Sequence, residues 1–405
     1  MHFVSIRPLS AVWETTSLRS VSLAGVFIVI KANFRYVKLY VFHFENVVWK
    51  WRNACSRRVW REAFEWRFCG RCESALLPYS KNPLETFLNM WYYIMNKYFF
   101  MKIKERRSAM KISDILKRGV PSISYEVFPP KTDTAFESVK YATEEIAKLS
   151  PSFMSVTYGA GGGTSRYTLD IAEDIEKNFG IPMLAHLTCV SSTRETVREQ
   201  IRLMKEKDIT NVMALRGDLT AELENTDRST WSYRHASDLV CELREAGGFC
   251  IGGACYPEVH PESRDQKDDI RYLKEKVDAG VEFLTTQMFF DNNLLYNFLY
   301  KIREAGITVP VVAGIMPITG ANQVERAIKL SGSFMPQRFK SLVDRFGHSK
   351  EAMMQAGIAY ATDQIIDLLA NGVNNIHVYS MNKPEVARAI HANLSAMIGL
   401  EDTRG

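Results

Sequence analysis

The sequence predicts an α/β fold, a (β/α)8 TIM-type barrel, over residues 110–405. Three observations predict it. Eight short runs rich in apolar and β-branched residues recur after position 120, each nearly continuous, as strands covered on both faces require. Helical stretches with one polar face separate most of them, and that alternation implies a parallel sheet. Eight rounds in about 290 residues fit a closed barrel, whose usual length is roughly 250 residues. A doubly wound open sheet is the alternative, but no Gly-x-Gly-x-x-Gly turn marks its crossing point.

The strands are expected at Ser122–Phe128, Phe153–Tyr158, Met183–Cys189, Asn211–Gly217, Cys250–Tyr256, Phe283–Phe290, Val309–Met316 and Ile376–Met381. The clearest helices are Ala135–Leu149, Ser192–Lys207, Ala236–Ala246, Asp265–Ala279 and Asn292–Ala305. Gly280 and Gly306 follow two of these helices, at the place where glycine commonly ends one. The last crossover, residues 318–375, is long enough for more than one helix and includes Lys350–Ala370.

The composition changes before the barrel. Residues 1–109 carry 18 Lys and Arg against 7 Glu and no Asp, and six of the seven Trp. The remainder carries 33 basic and 39 acidic residues, so one segment is strongly basic and the other mildly acidic. The first segment is expected to be a non-homologous, poorly ordered extension, or upstream sequence translated with the gene, because Met110 opens an ordinary-looking protein start. Its longest apolar run, Val21 to Ile30, is half the roughly 20 residues a spanning helix needs. Cys69-Gly-Arg-Cys72 has metal-like spacing without a second pair, so no zinc is expected there. The basic, aromatic character also admits a nucleic-acid or membrane contact, but neither partner is expected. Seven cysteines without regular spacing point to a reducing, cytoplasmic compartment.

In a barrel, chemistry gathers at the C-terminal ends of the strands. Those ends hold Glu126, Thr157 and Tyr158, His186 and Thr188, Arg216 and Asp218, Tyr256, Gln287 and Tyr379. Such a ring can hold a polar heterocycle by its hydrogen-bonding edge. Glu126 sits among apolar neighbours that would desolvate its carboxyl and suit it to general-acid work; a Glu paired with Lys or Arg across the barrel is the equal alternative. Arg216 could meet a phosphate, with Gly217 permitting close approach, or could form a strand-end salt bridge with structural meaning only. The eight His are scattered, so no metal site is expected. Gly159-Ala-Gly-Gly-Gly163 lacks the Lys-Ser/Thr of a phosphate loop.

Eight runs, in order, carry a resemblance. They are Tyr125-Glu-Val-Phe-Pro-Pro-Lys131, Ser155-Val-Thr-Tyr-Gly-Ala160, Ala185-His-Leu-Thr-Cys189, Ala214-Leu-Arg-Gly-Asp218, Tyr256-Pro-Glu-Val-His-Pro-Glu262, Lys276-Val-Asp-Ala-Gly280, Thr286-Gln-Met-Phe-Phe-Asp291 and Gly314-Ile-Met-Pro317. Residues 110–400 thereby resemble the catalytic barrel of the bacterial-type methylenetetrahydrofolate reductase family; residues 1–109 do not. The resemblance implies noncovalent FAD, NADH or NADPH as hydride donor, and a ping-pong reduction of 5,10-methylenetetrahydrofolate to 5-methyltetrahydrofolate in one-carbon and methionine metabolism. It also implies a homo-oligomer, with a partner subunit as a further option.

Residue by residue, the resemblance makes Glu126 the general acid and Asp218 the acid beside flavin and pterin. It places Thr157, Tyr158, Ala160, His186, Arg216, Gly217, Asp218, His235, Ala236, Tyr256, His260, Ser263, Asp269 and Lys276 at FAD-contact positions. Gln287, Gln323 and Lys383 fall at substrate positions, the last where relatives carry Arg. His235 stands where some relatives have Tyr, and Tyr272 and Glu275 replace polar and basic residues of the FAD tail site. Ala327 replaces a Phe that stacks on the folded dinucleotide. Other barrel enzymes, aldolases or decarboxylases, would need a catalytic Lys or metal ligands at strand ends, and none stands out. A non-catalytic folate- or flavin-binding protein would not need both Glu126 and Asp218.

Overall fold

The computed structural model describes residues 110–130, 135–158, 165–219 and 226–399, together with three strands before them. The chain divides into two compact units, Met1–Thr86 and Phe87–Gly405. In the first, β1 (Ser17–Leu23), β2 (Val26–Asn33) and β3 (Tyr36–His43) form an antiparallel sheet in that order. Leu23 pairs with Val26, and Asn33 with Tyr36, so two-residue connections set both registers. The sequence shows no sustained strand rhythm here, and the strands are a finding of the structure. The Val21–Ile30 run is divided between β1 and β2. β-Branched and aromatic residues dominate β2 and β3, which suits them to a pleated surface. Cys69 and Cys72 lie outside the described residues.

The second unit is the barrel. It opens with the short helix α1 (Ile112–Leu116) and the strand β4 (Ser122–Val127). Then follow α2 (Phe136–Ala147), β5 (Met154–Val156), α3 (Ser165–Phe179), β6 (Met183–Thr188), α4 (Arg194–Glu206) and β7 (Asn211–Leu215). Next come α5 (Ala236–Ala246), β8 (Cys250–Cys255), α6 (Gln266–Ala279), β9 (Phe283–Thr286), α7 (Asn292–Glu304) and β10 (Val311–Ile315). The last crossover holds α8 (Asn322–Ser331), α9 (Gln337–Phe346) and α10 (Lys350–Ala370), before β11 (Asn375–Tyr379) and α11 (Pro384–Leu394). Strands β4 to β11 lie in sequence order, all parallel, and β11 closes on β4 with Tyr379 opposite Glu126.

Helix starts follow local chemistry. Thr193, Asp265, Asp291 and Ser349 each accept a backbone N–H from the first turn of the helix they precede, satisfying a donor that has no intrahelical partner. Pro384 opens α11, where its missing N–H costs nothing. The helices' apolar faces meet the outward side chains of the strands in the main core, which includes Tyr125, Val156, Leu187, Leu243, Phe298 and Ile365.

A second apolar cluster fills the N-terminal end of the barrel. Ile112 and Leu116 of α1 pack on Phe153, Leu184, Met213, Cys250, Phe283 and Val312. The buried Asn211 side chain accepts the Ile112 N–H at 2.9 Å and donates to the Met110 carbonyl at 3.3 Å. Ser113 Oγ donates to Glu282 at 2.9 Å. The plug fills this end of the cylinder, and in such a barrel the chemistry gathers at the opposite, C-terminal end.

Candidate active site at the C-terminal mouth

Period-two alternation along β4 turns Ser122, Ser124 and Glu126 to the interior. The same rule applied to β11 turns Asn375, His377 and Tyr379 inward. These two neighbouring strands build the floor of the site. Ser124 Oγ donates to the Ile376 carbonyl at 2.9 Å and lies 2.8 Å from His377 Nδ1. With that hydroxyl proton committed, Nδ1–H is the donor to Ser124, and Nε2 accepts from Ser155 Oγ at 3.0 Å. Phe153 stacks on the His377 ring at 5.7 Å. Three side chains thus fix one imidazole.

Glu126 stands above it. Its Oε2 lies 3.9 Å from His377 Nε2 and 3.8 Å from His186 Nε2, and its side chain is 17% exposed. Among the described residues, its charged-group neighbours are these imidazoles and not a Lys or Arg across the barrel. Burial holds the His186 imidazole down at about 4, outweighing the attraction of Glu126. His186 is therefore neutral at physiological pH, and its buried Nε2 has no hydrogen-bond partner. Tyr379 donates to the Thr286 carbonyl at 2.6 Å. Burial first, then Glu126, pushes that phenol well above its ordinary value, so it stays protonated. Ser380 Oγ donates to the Glu126 carbonyl at 2.6 Å and ties the two strand ends together.

A second group lies past β7 and β8. Arg216 pairs with Glu262, which also lies 3.6 Å from Arg228. Cys189 and Val190 donate backbone N–H groups to the Arg216 carbonyl at 3.1 and 2.7 Å. Gly217 has φ +97°, and a Cβ there would lie 2.8 Å from Val190 Cγ1, so the residue must be glycine. The Tyr256 and His260 rings meet edge to face at 4.6 Å, and Glu262 N–H donates to His260 Nδ1 at 3.1 Å. Burial raises the Tyr256 phenol to about 12, reinforced by the charge of Asp218. Asp218 itself is exposed. β4 and β7 are three strands apart in the ring of eight, and Asp218 follows the end of β7.

Further out, Ser263 Oγ donates to Asp269 at 3.0 Å. Lys276 donates to the Ala254 carbonyl, and burial lowers its ammonium. His235 and Ala236 open α5, where Asp238 accepts the His235 N–H at 3.0 Å. The His235 ring stacks near Tyr272 at 6.4 Å, and Arg271 covers Tyr272 at 4.1 Å. Glu275 accepts from Arg271 at 2.8 Å. Thr157 N–H donates to the Val127 carbonyl at 3.0 Å, and Tyr158 packs against the main core. Ala160 lies outside the described residues.

The third group is made by β9, β10 and β11. Gln287 Oε1 accepts the Met288 N–H at 2.9 Å. Gln323 Oε1 accepts the Thr319 N–H at 2.8 Å. Each amide oxygen is turned to a backbone donor, so each NH2 points away from it. Lys383 donates to Thr319 Oγ1 at 2.6 Å. Ala327 is buried against Phe290, Met335, Phe339 and Met353, so its methyl faces the satellite core.

Ser124, Ser155, His377 and Thr319 are absent from the sequence-based site. Inward alternation along β4, β5 and β11 signals the first three; Thr319 carries no signal beyond its i, i+4 spacing to Gln323. Among the described residues, no three His, Cys, Asp or Glu are placed to hold a metal ion, and no helix is long and apolar enough to cross a membrane.

A closed parallel barrel with acid, imidazole, amide and ammonium groups converging on one mouth has the architecture of a barrel enzyme. A family model described as methylenetetrahydrofolate reductase matches residues 111–395. The 5,10-methylenetetrahydrofolate reductase of Pectobacterium carotovorum is 34% identical over 285 residues, 70% of this chain and 94% of that protein. The Escherichia coli protein of the same name is 32% identical over 295 residues, 73% of this chain and 98% of its own length. Methylenetetrahydrofolate reductase (NADH) 1 of Arabidopsis thaliana is 31% identical over 295 residues, and the match spans 50% of it. A Clostridium thermocellum protein described as binding two copies of 5-methyl-5,6,7,8-tetrahydrofolic acid shares the fold, with TM-score 0.52 and 17% identity over 71% of this chain and 99% of that one. The chain belongs to the methylenetetrahydrofolate reductase family.

Proposed function

We propose that the protein reduces 5,10-methylenetetrahydrofolate to 5-methyltetrahydrofolate, with NADH or NADPH as hydride donor and noncovalent FAD between them. The observation that carries the reading is Glu126, held at the mouth beside a neutral His186 whose buried Nε2 has no partner. That orphaned nitrogen fits a ring edge rich in nitrogen and carbonyl groups. Gly217 lets the end of β7 pack on Thr188 and Val190, and Arg216 offers a guanidinium for a diphosphate once it leaves Glu262. Thr157, Tyr158, Ala160, His235, Ala236, Tyr256, His260, Ser263, Asp269 and Lys276 would complete the FAD site. Bound FAD would supply two-electron transfer between the two substrates.

The remaining work falls to this chain's side chains. Glu126 donates a proton to the folate nitrogen as the five-membered ring opens to the exocyclic iminium. His186, being neutral, does not compete as the acid. Asp218, past the end of β7, places a negative charge near the cation that forms. Gln287 and Gln323 present N–H donors to carbonyl or ring-nitrogen acceptors, and Lys383 presents a positive charge.

Half-reaction kinetics test this. The purified protein is expected to be yellow, to bleach anaerobically with a reduced nicotinamide nucleotide, and to regain colour with methylenetetrahydrofolate. Glu126→Gln should bleach at a rate within about twofold of the parent but reduce folate roughly 10²–10⁴-fold more slowly, the range typical of a lost general acid. Asp218→Asn should keep its flavin and slow folate reduction about tenfold, the loss expected when one favourable charge contact of roughly 1.4 kcal/mol is removed. Normal folate reduction by Glu126→Gln removes the acid from the scheme. Unchanged kinetics in both half-reactions of Asp218→Asn remove the electrostatic role.

A further inference from the structure

We propose that Thr319 is a positioning residue that makes the β10–β11 wall of the site donor-only and thereby sets which edge of a ligand it accepts. Thr319 lies between β10 and α8 and is 6% exposed. Three contacts converge on it. Lys383 donates to its Oγ1 at 2.6 Å, its N–H donates to Gln323 Oε1 at 2.8 Å, and its Oγ1 lies 3.4 Å from the same oxygen. The proton assignment follows from donor chemistry. An ammonium can only donate, so the hydroxyl oxygen accepts from Lys383. A backbone N–H can only donate, so the Gln323 amide must turn its oxygen to Thr319 and its NH2 away. The hydroxyl proton then points at the Gln323 oxygen, completing a chain from Lys383 through Thr319 to Gln323.

The consequence is specificity. Lysine is a rotatable point charge on a flexible stem, and it lacks the rigid fork of an arginine. The Thr319 hydroxyl supplies the orientation that the side chain itself does not, and leaves two ammonium N–H groups for a ligand. Gln287 is locked in the same sense by Met288. The wall therefore offers two amide NH2 groups and one ammonium. It takes a ligand through carbonyl oxygen, ring nitrogen or carboxylate acceptors, and disfavours any that present N–H donors there.

The proposal rests on the folate-reductase reading for its kinetic arm only. Thr319→Val keeps the shape and the backbone N–H and deletes the hydroxyl. It is expected to raise the KM for methylenetetrahydrofolate about 5–10-fold, the loss typical of one charge-assisted hydrogen bond, with kcat changed less than twofold. Thr319→Ser should restore the parent KM. A second arm needs no substrate. Melting temperatures are measured for Thr319→Val, Lys383→Met and the double variant. Coupled residues give a non-additive cycle, so the double variant should melt within about 1 °C of the lower single variant. Additive melting shifts overturn the tether whatever the protein catalyses. A parent-like KM in Thr319→Val, or failure of serine to rescue, overturns its effect on specificity. If the parent protein does not reduce folate but the cycle is non-additive, the activity is wrong and the tether stands.

Discussion

Gly314 shows how single positions make room for the chemistry. It faces into the barrel on β10, and its N–H donates to Thr286 Oγ1 at 2.8 Å. A Cβ there would lie 2.4 Å from the Thr286 carbonyl and 2.5 Å from Tyr379 Oη. The Tyr379–Thr286 hydrogen bond thus crosses directly over this glycine, and the phenol it fixes stands beside Glu126. Gly314→Ala is expected to break that bond and to destabilise the protein by about 1–3 kcal/mol, the usual cost of overpacking a dense interior. At this chain length that is a melting shift of several degrees. A variant that melts with the parent and keeps its folate rate would sink the argument. Glu126 was legible in the sequence because it ends a β-rich run where barrels place their chemistry. The hydroxyl of Thr319 was not, because its importance comes from Lys383, 64 positions away, and no local pattern encodes that distance.

At the scale of elements, the seam between α3 and β6 carries an unusual acid. Glu176 is 8% exposed, and its Oε1 accepts the Met183 N–H at 3.0 Å, joining the last turn of the helix to the first residue of the strand. Burial raises its carboxyl to about 8, and the charge of Asp208 adds to the rise. A carboxyl raised on folding binds its proton more tightly in the native state than in the unfolded one. Its stabilisation is complete below about 4.5 and is lost as pH climbs through about 8. Glu176→Gln keeps the acceptor without the ionisation. Urea denaturation should find the two proteins alike at pH 5 and the variant more stable by about 2–4 kcal/mol at pH 9. A parent protein equally stable at both pH values, while the variant is too, would refute it. All eight strands were legible because two-sided burial writes apolar runs, but several ends were overextended. Phe283–Phe290 is a strand only to Thr286; beyond it Phe289 turns into the main core and Phe290 into the satellite core. Helix α1 was not legible at all: five residues are too few for a period, and only its tertiary packing reveals it.

At the scale of the whole molecule, closure is the decisive event and it is non-local. β4 and β11 pair across some 250 positions, with Ser122 opposite Asn375 and Glu126 opposite Tyr379. Closure brings Glu126, His186 and His377 together from three strands, which sequence order alone could suggest only through the count of eight. The composition seam is a cruder signal, and the strands β1 to β3 were missed because short alternating runs in a basic, aromatic segment do not stand out. The barrel's own requirements begin later. The Asn211 side chain reaches back to the Met110 carbonyl, and Ile112 and Leu116 seal the N-terminal end of the cylinder. A chain beginning at Met110 keeps the contacts that, among the described residues, close and plug the barrel, and it should keep the parent's cooperative unfolding and folate rate. A chain beginning at Lys117 lacks the plug. Removing two fully buried aliphatic side chains forfeits about 1.5–3 kcal/mol each and leaves Phe153, Met213 and Phe283 facing water at one end. The shorter protein should lose at least about 3 kcal/mol in urea denaturation and bind an apolar dye, while the Met110 protein should do neither. Equal stability of the two chains would show that the cylinder holds without its plug.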